Sequence, residues 1–145
     1  MMFQEIVTFI EGQTGFTIGT TLQAGHRLAT APDRCVLIAE SGGGGTVPEL
    51  PDRADFLIQA LSRAKTYFEA RDDAWTVYTE LTKGWAAGWN MPTLTGSGDD
   101  YIAWTIDAIA IPQYIGQDVD GRFEFSVNFI FRMAQASCGA GPSGP

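Results

Sequence analysis

The stretch "IAESGGGGTVPELPDR" (38–53) sets four consecutive glycines, Gly42, Gly43, Gly44 and Gly45, directly after an apolar run. A strand that feeds a glycine-rich loop is where nucleotide-binding proteins hold phosphate. That chemistry needs a helix N-terminus behind the loop, whose N–H groups and dipole meet the anion, and a Lys for the phosphates. Here the loop is followed by two prolines, has no Lys and opens no helical pattern. The glycines therefore read as a pliable loop between two strands, free to take positive φ.

The other candidate groups also favour a mechanical reading. Asp118, Asp120 and Gly121 resemble part of a calcium loop, but the pattern needs an acid or Asn where Gly116 stands and a Glu where Val127 stands. Asp-Gly at that point reads as a hairpin turn. His26 is the single histidine, so a Ser–His–Asp arrangement would have to use it, and no G-x-S-x-G marks a nucleophile. It reads as a half-exposed strand residue. Asp72 and Asp73 are neighbours on a helix and project about 100° apart, so they do not converge for acid–base work. Asp99 and Asp100 fall in a loop. All four acids read as solvated surface, and with Glu69, Arg71 and Glu80 the helix carries a mixed polar face that suits an interface rim. Trp85, Trp89 and Trp104 suit core or subunit contacts more than a ligand platform. Trp85 and Trp89 stand in a Gly/Ala-rich connector, which favours subunit contact. Cys35 reads as a small core residue in a strand and Cys138 as a free thiol, with no metal-ligand spacing around either. No catalytic, cofactor-binding or metal site is expected.

Charge narrows the class further. Lys and Arg number 9 against 17 Asp and Glu, a net charge of −8 on 145 residues, and the bases form no patch. A nucleic-acid binder needs clustered Lys and Arg to displace counterions from phosphate. This chain should repel a polyanion. The segment "MMFQEIVTFIEG" has acids and no base, unlike a signal peptide, and no apolar run approaches the ~20 residues needed to span a bilayer. The expectation is a soluble protein made in a cytoplasm, with no membrane partner.

The elements that must position these residues follow from periodicity. Phe3, Ile6, Val7 and Ile10 give a short amphipathic helix over 2–12, stopped at Gly12 or Gly15. "TTLQAGHRL" is a weak strand and "RCVLIAE" (34–40) a stronger one. Residues 54–64 read as a strand with Phe56, Ile58 and Ala60 on one face and Leu57, Gln59 and Leu61 on the other, although the pattern alone also allows a helix. A capping box at Thr66 and Glu69 starts a longer helix over 67–83, striped by Phe68, Trp75, Tyr78 and Leu81 and closed by Lys83 and Gly84. Residues 84–100 are a connector. Two long strands follow, 101–115 and 122–133, joined by a turn at 116–121, with a bulge or sheet edge near Pro112. In the last strand Phe123, Phe125, Val127, Phe129 and Phe131 face one way. The expected fold is a single α+β domain over 1–134, a mainly antiparallel sheet of four to five strands with the N-terminal and the longer helix packed on it. Residues 135–145 form a flexible Gly/Pro-rich tail.

Two segments, "LPDRADFLIQALSRAKTYFEARDDAWTVYTEL" (50–81) and "IAIPQYIGQDVDGRFEFSVNFIFR" (109–132), resemble the minor capsid proteins of tailed bacteriophages that act as tail terminators, and the likeness extends over most of 1–133. The resemblance implies a structural, non-enzymatic virion protein of the tail and neck, assembled in the host cytoplasm. It implies a six-fold ring of identical copies that ends the tail tube and offers the head a docking surface, with DNA passing through the bore without specific binding. Its partners would be its own copies, the tail tube protein and a head–tail connector protein. By layout, the contact elements would be the loop Gly42, Gly43, Gly44, Gly45, Glu49, Asp52 and Arg53, and the helix face with Arg71, Asp72 and Asp73, joined by Trp85 and Trp89. A head-completion adaptor of the same virion fits the same layout. A small-ligand-binding α+β domain remains the alternative from another class; it predicts a closed apolar pocket with convergent polar groups.

Overall fold

The computed structural model describes residues 2–27, 30–40, 53–86, 93–94 and 101–135. The elements run α1 (Met2–Thr14), β1 (Leu22–Ala24), β2 (Cys35–Glu40), β3 (Arg53–Ala64), α2 (Tyr67–Ala86), β4 (Thr93–Leu94), β5 (Tyr101–Ala108), β6 (Gln113–Gln117) and β7 (Phe123–Gln135). This is the expected α+β architecture. The strands form one sheet in the order β1-β2-β3-β7-β5-β4, with β6 also paired to β7. All pairings are antiparallel except β1 with β2.

The spine is the ladder between β3 and β7, which runs unbroken from Arg53 opposite Ala134 to Ala64 opposite Phe123. Period-two patterning fixes its register, because a one-residue slip would turn every Phe of β7 to the wrong side. Phe125, Val127, Phe129, Phe131 and Met133 are buried, as are Ile58 and Ala60 of β3 and Val36 and Ile38 of β2. All of these but Phe125 join Ile6, Val7 and Ile10 of α1 and Val77 and Leu81 of α2 in one cluster, so both helices cover the same face of the sheet. Each large apolar side chain enclosed there contributes about 1.5–3 kcal/mol of transfer free energy.

α2 meets the sheet differently from its sequence pattern. The expected stripe began with Phe68, but Phe68 is 73% exposed, and the buried line is Ala70, Ala74, Val77 and Leu81. Ala70 and Ala74 pack with Ala64 and Phe125. Small side chains let the helix backbone approach the sheet. The approach is close enough for the Ser62 hydroxyl of β3 to donate to the Ala70 carbonyl at 2.6 Å. Trp75 and Tyr78 flank that line, half-buried and in edge contact with each other. The cap at Thr66 forms as expected on one side, its hydroxyl accepting from the Glu69 N–H. The Glu69 carboxylate, however, accepts from that same hydroxyl instead of reaching the cap backbone.

Four boundaries move for identifiable reasons. α1 passes Gly12 and ends at Thr14, where Gly15 takes φ 81° and donates to the Glu11 carbonyl at 3.0 Å. The strand expected over "TTLQAGHRL" shrinks to Leu22–Ala24, because Gly25 turns at φ 82° and puts His26 in an exposed bend. α2 does not stop at Gly84; it continues to Ala86, and Lys83 pairs with Glu80. A glycine inside a helix costs only about 1 kcal/mol relative to Ala, which packing readily offsets. The strand expected over 101–115 is two strands. β5 and β6 lie end to end along the same side of β7, parted at 109–112, where Pro112 supplies no N–H. The turn correspondingly closes later, with Asp118 N–H donating to the Arg122 carbonyl and Gly121 N–H to that of Asp118. The split, with the short β1 and β4, raises the strand number above the expected four to five.

Candidate assembly surface

The charged residues are mostly committed within the chain. Arg34 holds Asp73 through two hydrogen bonds of 3.0 Å, from Nε and from a terminal nitrogen, and reaches Glu69 at 3.2 Å. Asp73 is therefore not the solvated surface acid that the sequence suggested; it is 5% exposed, while Asp72 beside it is exposed. The two acids diverge, as their spacing on the helix requires. The hydrogen bond to Asp73 raises the Arg34 pKa further.

A second network fastens the segment before β2 to the sheet. Asp33 accepts from Lys65 at 3.2 Å and Arg122 at 3.0 Å, and these bonds, Lys65's first, hold its carboxyl below the usual carboxylate range. Arg63 donates to the backbone carbonyls of Asp33 and Pro32. Arg27 crosses three strands: it donates to Cys35 Sγ on β2, the Leu61 carbonyl on β3 and the Glu124 carboxylate on β7. Arg132 pairs with Asp107 and Asp55 across β5, β7 and β3. Among the described residues Arg27, Arg34, Lys65, Lys83, Arg122 and Arg132 all stand in ion pairs.

Asp118 and Asp120 form a turn. The Asp118 carboxylate accepts from the N–H groups of Asp120 and Arg122 and from Arg122 Nε. Desolvation pushes its carboxyl up, but these hydrogen bonds outweigh it and the net shift is downward. Among the described residues no His, Cys, Asp and Glu group is arranged to hold a metal, and no helix is long and apolar enough to cross a membrane.

Of the residues expected at contact surfaces, Gly42, Gly43, Gly44, Gly45, Glu49, Asp52 and Trp89 lie outside the described residues, as does Cys138. Arg53 opens β3 and Trp85 stands in the last turn of α2. Arg71 and Asp72 are exposed on α2, and the Arg71 guanidinium lies 5.3 Å from the centre of the Trp75 ring. Beside them a shallow groove is lined by Asp72, Trp75, Thr76, Thr79 and Glu80. The structure thus brings Arg71 and Asp72 together on one outward face and takes Asp73 out of it.

The most exposed apolar surface among the described residues was not singled out from the sequence. Ile109, Ile111, Tyr114, Ile115 and Val119 are exposed by 46% to 101%, along the β5–β6 margin of the sheet and the turn after it. Tyr114 stacks near Tyr67, which touches Phe68, so the patch continues onto the start of α2. Residues 109–117, "IAIPQYIGQ", carry no charge at all. The legible signal was that both parities of this run are apolar or neutral, so one side of it must face solvent or a partner. Among the described strands β6 pairs only with β7, which leaves its outer edge available.

A family model described as "Bacteriophage tail terminator protein" matches residues 9–135. No curated protein matches the chain.

Proposed function

The chain belongs to the bacteriophage tail terminator family, and we propose that it forms a ring of identical copies which ends the tail tube and joins it to the head. The observation that carries this reading is the exposed apolar margin at 109–119, whose 109–117 run is uncharged, on a chain whose net charge is −8. An exposed apolar patch of that kind marks a protein–protein contact. A structural role in the phage tail follows from the family. Six copies of so acidic a chain would line a passage that repels phosphate, so DNA slides through without a counterion-releasing grip. Gly42–Asp52 and the α2 face with Arg71 and Asp72 are the elements this reading assigns to the tail tube and neighbouring copies.

Electron microscopy of the purified protein mixed with tail tubes tests the reading. Ring density capping one end of the tube is the expected result. Density only at capsid portals would replace the terminator with a head adaptor.

A further inference from the structure

Each of the two margins of the sheet carries an uncharged apolar stretch. At the β6 margin, Ile109, Ile111, Ile115 and Val119 are exposed. At the opposite margin, beside β1, a cleft of about 370 Å³ opens between α1 and the chain around β1, lined by Gln4, Val7, Thr8, Ile18 and Ala24. None of these lining residues is charged. Strand order β1-β2-β3-β7 with β6 beyond it sets the margins about 19 Å apart, at ~4.8 Å per strand spacing.

We infer that the apolar β6 margin of one copy docks into the α1–β1 cleft of the next, a head-to-tail contact that builds the ring. This rests on the ring reading above and names the surfaces that would make it. Three observations point to a second copy as the occupant. First, every copy carries both the exposed margin and the cleft, on different sides, which is what a heterologous contact requires; such contacts close into rings when their rotation closes. Second, copies charged at −8 repel one another, and like charges placed face to face at an interface cost several kcal/mol. The 109–117 run and the residues lining the cleft are uncharged, and Asp118 and Asp120 on either side of Val119 are paired with Arg122, so identical copies meet there with less of that penalty. Third, the side chains exposed on the β6 margin, with Phe68, amount to apolar area on the order of 500 Å². That is the scale one partner brings to a specific interface, about 800 Å².

The test uses two full-length variants with substitutions only at exposed positions. One carries Ile111→Asp and Ile115→Asp on the exposed margin; the other carries Thr8→Glu and Ile18→Asp on the cleft. Milder Ile111→Ser and Ile18→Ser variants serve if either charged variant melts early. Sedimentation of each alone should show self-association weakened roughly tenfold or more. Mixed one to one, they should form a heterodimer and nothing larger, because one intact margin meets one intact cleft and the chain of contacts stops there. Variants that assemble like wild type, or a mixture that stays monomeric while wild type assembles, overturn the inference. So does a cleft variant that dimerises alone, which would mark a symmetric margin-to-margin contact. Tail tubes separate this from the broader reading. If both variants still cap tubes with intact rings, only the proposed contact falls. If wild type caps no tube yet the mixture forms the heterodimer, the contact stands and the terminator role falls. Wild type that stays monomeric both free and on tubes removes both.

Discussion

Arg34, the residue before β2, grips Asp73 of α2 from two nitrogens, each at 3.0 Å. The pair is lopsided: the Asp73 side chain is 7% exposed and that of Arg34 is 50% exposed. It joins the start of an inner strand to the helix above the sheet, a contact between residues far apart in sequence.

That asymmetry makes the two halves unequal. Arg34→Ala should leave a buried carboxylate without its strongest partner and lower stability by about 1–3 kcal/mol. Asp73→Ala leaves an arginine that water can reach and should cost less. Urea midpoints of the two variants and of the double variant check the order. Equal losses from both single variants would show that Arg34 is not what compensates the burial of Asp73.

The seam of α2 against the sheet depends on small side chains. Ala74→Leu should overpack the contact with Ala64 and Phe125 and cost about 1–3 kcal/mol. Phe68→Ser, on the exposed start of the same helix, should leave the thermal midpoint within about 0.5 kcal/mol equivalent of wild type. The reverse ranking would restore the aromatic stripe that the sequence suggested.

Gly12 and Gly15 should respond in opposite directions to Ala. Neither has an atom within 4 Å of where a Cβ would stand, so space is not the issue. Gly12 lies inside α1, where Ala is favoured by about 1 kcal/mol. Gly15 has φ 81°, where an L side chain costs about 1–2 kcal/mol. Chemical denaturation of both variants reads the two signs directly.

The Asp33 carboxyl titrates below its ordinary range because Lys65 and Arg122 bond to its charged form. A carboxyl lowered in the folded state adds stability above its unfolded value of about 3.9. That stability is lost as pH falls through the lower folded value. Asp33→Asn should therefore be less stable than wild type at neutral pH, and the two melting curves should converge as the pH drops below about 4. A constant gap across the acid range would mean that the ion pairs contribute nothing that titrates.

Much of the fold was legible because local chemistry and packing agree. β7 reads as a strand, with its phenylalanines on one face, since period two leaves no other way to bury them, and Cys35 in β2 is buried as its apolar neighbours imply. The start of α2 follows from Thr66 and Glu69. The acidic net charge follows from composition. Other features depend on long-range geometry that no window of sequence contains. Asp73 looks like Asp72 until Arg34, 39 residues away in sequence, is placed against it. The alanine face of α2 wins over the aromatic one because the helix sits close to β3, and closeness is a property of two elements together. Glu5 reads as an acid of an ordinary amphipathic helix, yet it is fully buried once α1 meets the sheet. The sequence by itself determined the strand periodicity, the helix cap, the charge and the family. Tertiary structure alone decided which apolar residues stay outside. Burial is settled by which margins of the sheet are covered, and the 109–119 run lies on one where apolar side chains remain exposed.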